Sequence, residues 1–147
     1  MPKLADSNVW LALTLSKHAC HRVSREWFDR MKPGDPVLFC RSTQQSYLRL
    51  LTTAEVLAPY GIAPLSNAKA WTVYEEWFDS ECVAFMDEPR GLDAYWKRFA
   101  ARQAPAPKLW MDAYLAAFAT AGGCQLVTTD HGFKQYKGLD LQVLVRS

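Results

Sequence analysis

Short apolar runs alternate with longer amphipathic segments along the chain, the pattern from which crossover units with a parallel sheet are built. The runs Leu4 to Asp6, Val37 to Arg41, Cys82 to Met86, Leu126 to Thr129 and Leu141 to Val145 read as strands. Each is brief and apolar, as a strand covered on both faces should be. Between the first two, Ala19, Val23, Trp27, Phe28 and Met31 recur at helical spacing, predicting a helix over His18 to Lys32, which Lys32-Pro33-Gly34-Asp35-Pro36 then stops. Tyr47, Leu48, Leu51 and Thr52 make a further helical face. Asn67 can cap another helix, with Ala70, Trp71, Tyr74, Trp77 and Phe78 as its aromatic stripe. Gly91 to Arg102 and Leu109 to Ala121 read as two more helices, separated by a loop at Pro105 and Pro107. The second ends at Gly122-Gly123. The class is therefore α/β.

At 147 residues the chain is the size of one ordinary domain, and no repeat, linker or low-complexity tract divides residues 1–147. Half of the residues are hydrophobic and 22% are charged, which excludes a disordered chain. A net charge of +2 is no nucleic-acid footprint by itself, so a polyanion would have to be held by a local site. The amino-terminal MPKLADSNVWLALTL is broken by Asp6 and Asn8, and it fits neither a signal peptide nor a transmembrane span. Cys20, Cys40, Cys82 and Cys124 are scattered without a CxxC pair, as buried thiols of a cytoplasmic protein would be.

Asp6 and Asp130 both fall at the carboxyl ends of predicted strands, the edge where open parallel sheets bind ligands. Asp112 is one of the few charged residues in the apolar helix LWMDAYLAAFA, where helix propensity gives no reason for an acid. Three convergent carboxylates suit Mg²⁺ or Mn²⁺, hard ions that take carboxylates plus waters and phosphate oxygens. Such an ion polarises a phosphoryl oxygen and makes a nucleophile of its water. The plainer alternative stays open: Asp6-Ser7-Asn8 can simply cap a helix, and Asp130 in TTDHGF can simply form a turn.

The segments LADSNVWLAL, RSTQQSYLRLLT, MDAYLAAFA and LVTTDHGF, in this order and spacing, resemble the PIN-domain ribonucleases, particularly the VapC-type toxins of bacterial toxin–antitoxin pairs. The likeness runs from Leu4 to about Leu144. It implies a three-layer α/β/α sandwich on a mostly parallel sheet, Mg²⁺- or Mn²⁺-dependent cleavage of RNA, and inhibition by a small cognate antitoxin. The family's acids fall on Asp6, Asp112 and Asp130, while its second acid falls on Gln44, a neutral amide. An amide coordinates weakly and cannot neutralise a metal, so one well-held ion is expected rather than two. The alternative is a noncatalytic PIN-like module that binds RNA or acts as a scaffold. A response-regulator-like domain, which also uses strand-end acids, lacks support because Asp6 has no acidic neighbour.

Other residues carry weaker expectations. Arg49 is placed to pair with an aspartate or reach a phosphate at the acidic edge. Asn8, Thr128, Ser7 and Thr129 stand beside the acids as hydrogen-bonding support. Lys108 and Lys134 flank the presumed cleft. His18-Ala19-Cys20-His21 looks like half of a zinc cluster, but no second pair stands at structural-zinc spacing. Helix capping is the expected role of these histidines, although the resemblance also allows them at the mouth of the site. Of the many aromatic residues, those around Trp71 exceed what one helix needs to bury, which leaves a surface for a partner helix or a homodimer contact.

Overall fold

The computed structural model describes residues 1–146. Five strands form one sheet: β1 (Lys3–Ala5), β2 (Val37–Phe39), β3 (Val83–Phe85), β4 (Gln125–Thr128) and β5 (Leu141–Val143). Their order is β3-β2-β1-β4-β5, and every pairing is parallel. The chain works outward in one direction from β1 to β3 and then returns to the other side of β1 with β4. The gap between β1 and β4 is thus the switch point of the sheet.

Alternation along each strand sorts the core into two layers. Ala5, Val37, Phe39 and Val127 face one hydrophobic cluster, while Leu4, Leu38 and Leu126 face the other. The first cluster is covered by α1 (Ser7–Thr14), α2 (His21–Asp29), α3 (Arg41–Leu51) and α5 (Asn67–Glu76), with α4 (Ala54–Leu57) completing that side. The second is covered by the hairpin of α6 (Leu92–Ala100) and α7 (Leu109–Gly122). This is the three-layer α/β/α sandwich. Its aromatic centre is Trp10, stacked on Phe39 with ring centroids 3.9 Å apart and edge-on to Trp77 at 5.2 Å.

The strands are shorter than the apolar runs that announce them, and in β1 and β2 the residue that follows the strand serves as a helix cap. Asp6 and Cys40 are the residues that precede α1 and α3. The helix expected over His18 to Lys32 spans only His21–Asp29, and Ser66 rather than Asn67 caps α5, accepting from the Lys69 N–H at 3.1 Å. Trp77 and Phe78 lie in the 3-10 turn after α5 and pack into the core, whereas Trp71 is 46% exposed. Gly123, in the left-handed region at φ 65°, ends α7 and returns its N–H to Ala119. Cys40 and Cys124 are buried thiols, but Cys20 and Cys82 are only half-buried. Among the described residues no helix is long and apolar enough to cross a membrane.

Candidate active site at the carboxyl edge of the sheet

In a parallel sheet all strands end at one edge, so the residues after β1, β2 and β4 are gathered there by topology alone. Asp6 caps α1: its Oδ1 accepts the Ser7 N–H at 2.7 Å, and its Oδ2 accepts the Thr128 hydroxyl at 2.9 Å. The Thr128 oxygen in turn accepts the Asp130 N–H at 3.0 Å, and Asn8 Nδ2 lies 3.4 Å from it. Asn8 Oδ1 accepts the Thr129 N–H at 3.2 Å, which ties α1 to the end of β4. Asp130 caps the turn that follows, accepting the Gly132 N–H at 2.8 Å. Asp6, Thr128, Asn8 and Asp130 therefore form one hydrogen-bonded group across the switch point. Ser7 contributes chiefly its backbone N–H.

Asp112 joins from the other layer. It stands in the first turn of α7, whose amino end comes to the same sheet edge because α7 runs into the start of β4. Burial pushes the Asp6 carboxyl up to about 6, opposed by the bonds from Thr128 and Ser7 and reinforced by the charges of Asp112 and Asp130. The Asp112 carboxyl is also raised, by burial first and by Asp130 second. No cation is among the groups acting on either acid, and among the described residues none of the three is in an ion pair.

Hard anionic oxygens that share one sheet edge without a protein counter-ion are a donor set a divalent cation suits. Among the described residues no three acidic, imidazole or thiol groups are yet gathered as a finished cage. Asp6 and Asp130 each accept a backbone N–H of their own turn. Mg²⁺ and Mn²⁺ keep several waters and need only one or two carboxylates at full contact.

Gln44 is buried at the edge in α3, but its Oε1 accepts from the guanidinium of Arg41, which also lies over the Phe85 ring at 5.0 Å. The oxygen expected to coordinate weakly is therefore already engaged. Arg49, expected at the acids, is exposed instead. It sits further along α3, which runs away from the edge, and lines a groove with Leu48, Thr52 and Trp71. The arginine at the edge is Arg41, and the chain carries a signal for it: Arg41 directly follows a strand. Lys108 and Lys134 are exposed beside Asp112 and Asp130 in the chain. His18 and His21 lie away from the acids, at the far end of α1. His21 Nδ1 bonds the Ala12 carbonyl at 2.8 Å, and His18 Nδ1 accepts the Cys20 N–H at 3.0 Å.

The model of the PIN domain family matches residues 3–139. The chain belongs to the PIN-domain family. Among curated PIN-domain relatives, Ribonuclease VapC41 of Mycobacterium tuberculosis is 53% identical over 144 residues, covering 97% of this chain and 99% of that protein. Ribonuclease VapC31 of the same species is 30% identical over 135 residues, covering 90% and 92%. The PIN fold is shared with solved structures of low identity. VapBC-1 from nontypeable Haemophilus influenzae aligns with TM-score 0.70 at 14% identity, over 98% of each chain. Mycobacterium tuberculosis VapC20, a Sarcin-Ricin loop cleaving toxin, aligns with TM-score 0.65 at 18% identity, over 99% of each.

Proposed function

We propose that this PIN-domain protein is a metal-dependent endoribonuclease and the toxin of a toxin–antitoxin pair, acting in the cytoplasm. The observation that carries the reading is the set of Asp6, Asp112 and Asp130 at the switch point: burial and the neighbouring acids raise the Asp6 and Asp112 carboxyls, and no protein cation opposes them. The 53% identity to a ribonuclease across nearly the whole chain supports the same reaction and substrate class. The VapBC complexes among its structural neighbours support a small antitoxin as partner. A homodimer is proposed on the exposed aromatic surface alone.

Asp6, Asp112 and Asp130 would hold Mg²⁺ or Mn²⁺. When bound, the ion supplies polarisation of a phosphoryl oxygen and acidification of a water. The protein does the rest. Thr128 and the Ser7 N–H fix the two Asp6 oxygens in one orientation, so that the acid need not reorganise when phosphate arrives. The positive end of α7 favours the ionised form of Asp112. Arg41 neutralises no acid here and leaves the set anionic.

The test is cleavage of cellular RNA by the purified protein with Mg²⁺ or Mn²⁺, with chelator, and with Asp6→Asn. Cleavage that needs both the ion and Asp6 is the expected result. A folded wild type that binds RNA but never cuts it would replace this reading with the noncatalytic one.

A further inference from the structure

The chain carries Lys97, Arg98, Arg102 and Lys108 between residues 94 and 111 with no acid among them, a concentration that the net charge of +2 conceals. The fold brings this stretch to the carboxylate edge, because α6 is antiparallel to α7 and ends where α7 begins. There Arg98, Arg102, Gln135, Tyr136 and Lys137 line a groove of about 260 Å³. Each guanidinium is placed by a specific neighbour. Arg102 Nη2 donates to Gln135 Oε1 at 2.8 Å, and Arg98 lies over the Phe99 and Tyr95 rings at 5.0 and 5.1 Å. Among the described residues no carboxylate pairs with Arg98, Arg102 or Lys137.

Tyr136 links this groove to the neighbourhood of the acids. Its wall includes Tyr136, whose hydroxyl is buried without a hydrogen-bond partner and feels the charges of Asp112, Asp130 and Arg102 together. On its other side Arg102 lines a second hollow with Ala104 to Pro107 and Trp110. Trp110 is 55% exposed, and its backbone carbonyl, not its ring, accepts the Trp96 indole N–H at 3.0 Å. An open indole beside the Arg102 guanidinium, with Arg98 in the adjoining hollow, is a combination that holds single-stranded nucleic acid, with phosphates on the cations and a base on the ring.

We propose that the two hollows flanking Arg102 hold an unpaired stretch of the RNA substrate next to the scissile phosphate, with Arg98, Arg102 and Lys137 on its backbone and Trp110 stacked on a base. This rests on the ribonuclease reading and adds to it the residues that hold the substrate beside the reacting phosphate. A duplex, whose bases are already stacked, cannot use Trp110.

The test uses the full chain in chelator, so that nothing is cut. Its probes are a short labelled single-stranded RNA of mixed sequence and the matching duplex, titrated over a salt series. Wild type should prefer the single strand. Arg98→Gln with Arg102→Gln should flatten the salt dependence of log Kd by about 0.7 for each phosphate that the variant no longer neutralises. Trp110→Ala should weaken single-strand binding at least about fivefold, leave duplex binding and the salt slope alone, and be rescued by Trp110→Phe. Single-strand affinity and slope unchanged in the arginine variant, or affinity unchanged in Trp110→Ala, overturns the proposal. So does a Trp110→Ala protein whose sedimentation changes while its RNA affinity does not, since the patch is then a contact between copies. If wild type cleaves RNA with Mn²⁺ while these variants bind normally, only this inference falls. If wild type neither binds nor cleaves RNA, the ribonuclease reading falls first and takes this one with it.

Discussion

Thr128 donates its hydroxyl to Asp6 across 122 residues of sequence, and the same oxygen receives the N–H of Asp130. One hydroxyl thereby sets the orientation of one acid and the turn that carries another. Its bond to Asp6 lowers a carboxyl that burial raises. Thr128→Val should push Asp6 higher still, so the acid limb of the pH–rate profile for RNA cleavage moves to higher pH. Thr128→Ser should return it. A limb that stays in place in the valine variant would show that this bond does not govern Asp6. Stability should also fall by about 1 to 3 kcal/mol, because the Asp130 N–H loses its acceptor.

Asp6 should destabilise the metal-free protein at neutral pH. Its carboxyl is raised from 3.8 to about 6 in the folded state, so between those values the native protein binds more protons than the unfolded chain. Stability therefore falls as pH rises through that window and is highest below it. Asp6→Asn should raise the melting temperature in chelator at pH 7.5 by the equivalent of about 1 to 3 kcal/mol, with no gain below about pH 4. Equal melting of both proteins at pH 7.5 would contradict the raised acid.

Divalent metal should reverse that effect. At pH 7.5, Mn²⁺ at about a hundredfold over its Kd should raise the melting temperature by on the order of 5 to 10 °C. Below about pH 5 protons compete for the same oxygens and the shift should shrink. A shift of equal size in Asp6→Asn would place the ion elsewhere.

Arg41 and Gln44 bear on how many ions are held. Replacing the amide by a carboxylate would add a hard ligand, but the guanidinium already bonded to Gln44 Oε1 competes for it as an ion pair. Gln44→Glu alone should therefore tighten Mn²⁺ binding modestly by calorimetry. Adding Arg41→Gln should tighten it further, and identical affinities in the single and double variants would remove Arg41 from the account.

In the core, Trp10 is fully buried between Phe39 and Trp77 while its indole N–H has no partner. Trp10→Ala should cost about 3 to 5 kcal/mol in a denaturant melt, as large-to-small core changes do. Trp10→Phe should cost far less, since nothing bonds the nitrogen it removes. Equal losses would mean that the ring's polar edge matters.

The parallel sheet and the edge holding Asp6 and Asp130 are legible in the sequence because alternating short runs admit few topologies, and all of them end their strands together. Strand lengths read too long, since apolar character continues into Cys40 and Met86 after the ladder stops. Ser7–Thr14 offers no helical stripe, because Val9 to Leu13 are buried all round. Nearness in the chain to Gln44 favours neither Arg41 nor Arg49 decisively, whereas helix direction and rotamer decide which guanidinium reaches the amide. The basic groove is invisible in the sequence for a related reason. Arg102 and Lys137 become neighbours only through the antiparallel turn between α6 and α7 and the packing of Phe99 on Tyr136.

The bond between Asp6 and Thr128 also bears on how the protein is made. Ribosomes deliver a chain at about 5 to 20 residues per second, amino end first. Asp6 is made well before β4, the strand that lies beside β1 in the sheet. Until then the first acid has neither Thr128 to orient it nor Asp130 beside it. On the proposed function, a nascent or truncated chain ending before β4 lacks both Thr128 and Asp130 of that group, so a nuclease made in the presence of its own messenger gains its full set of acids only when β4 and the turn after it are in place.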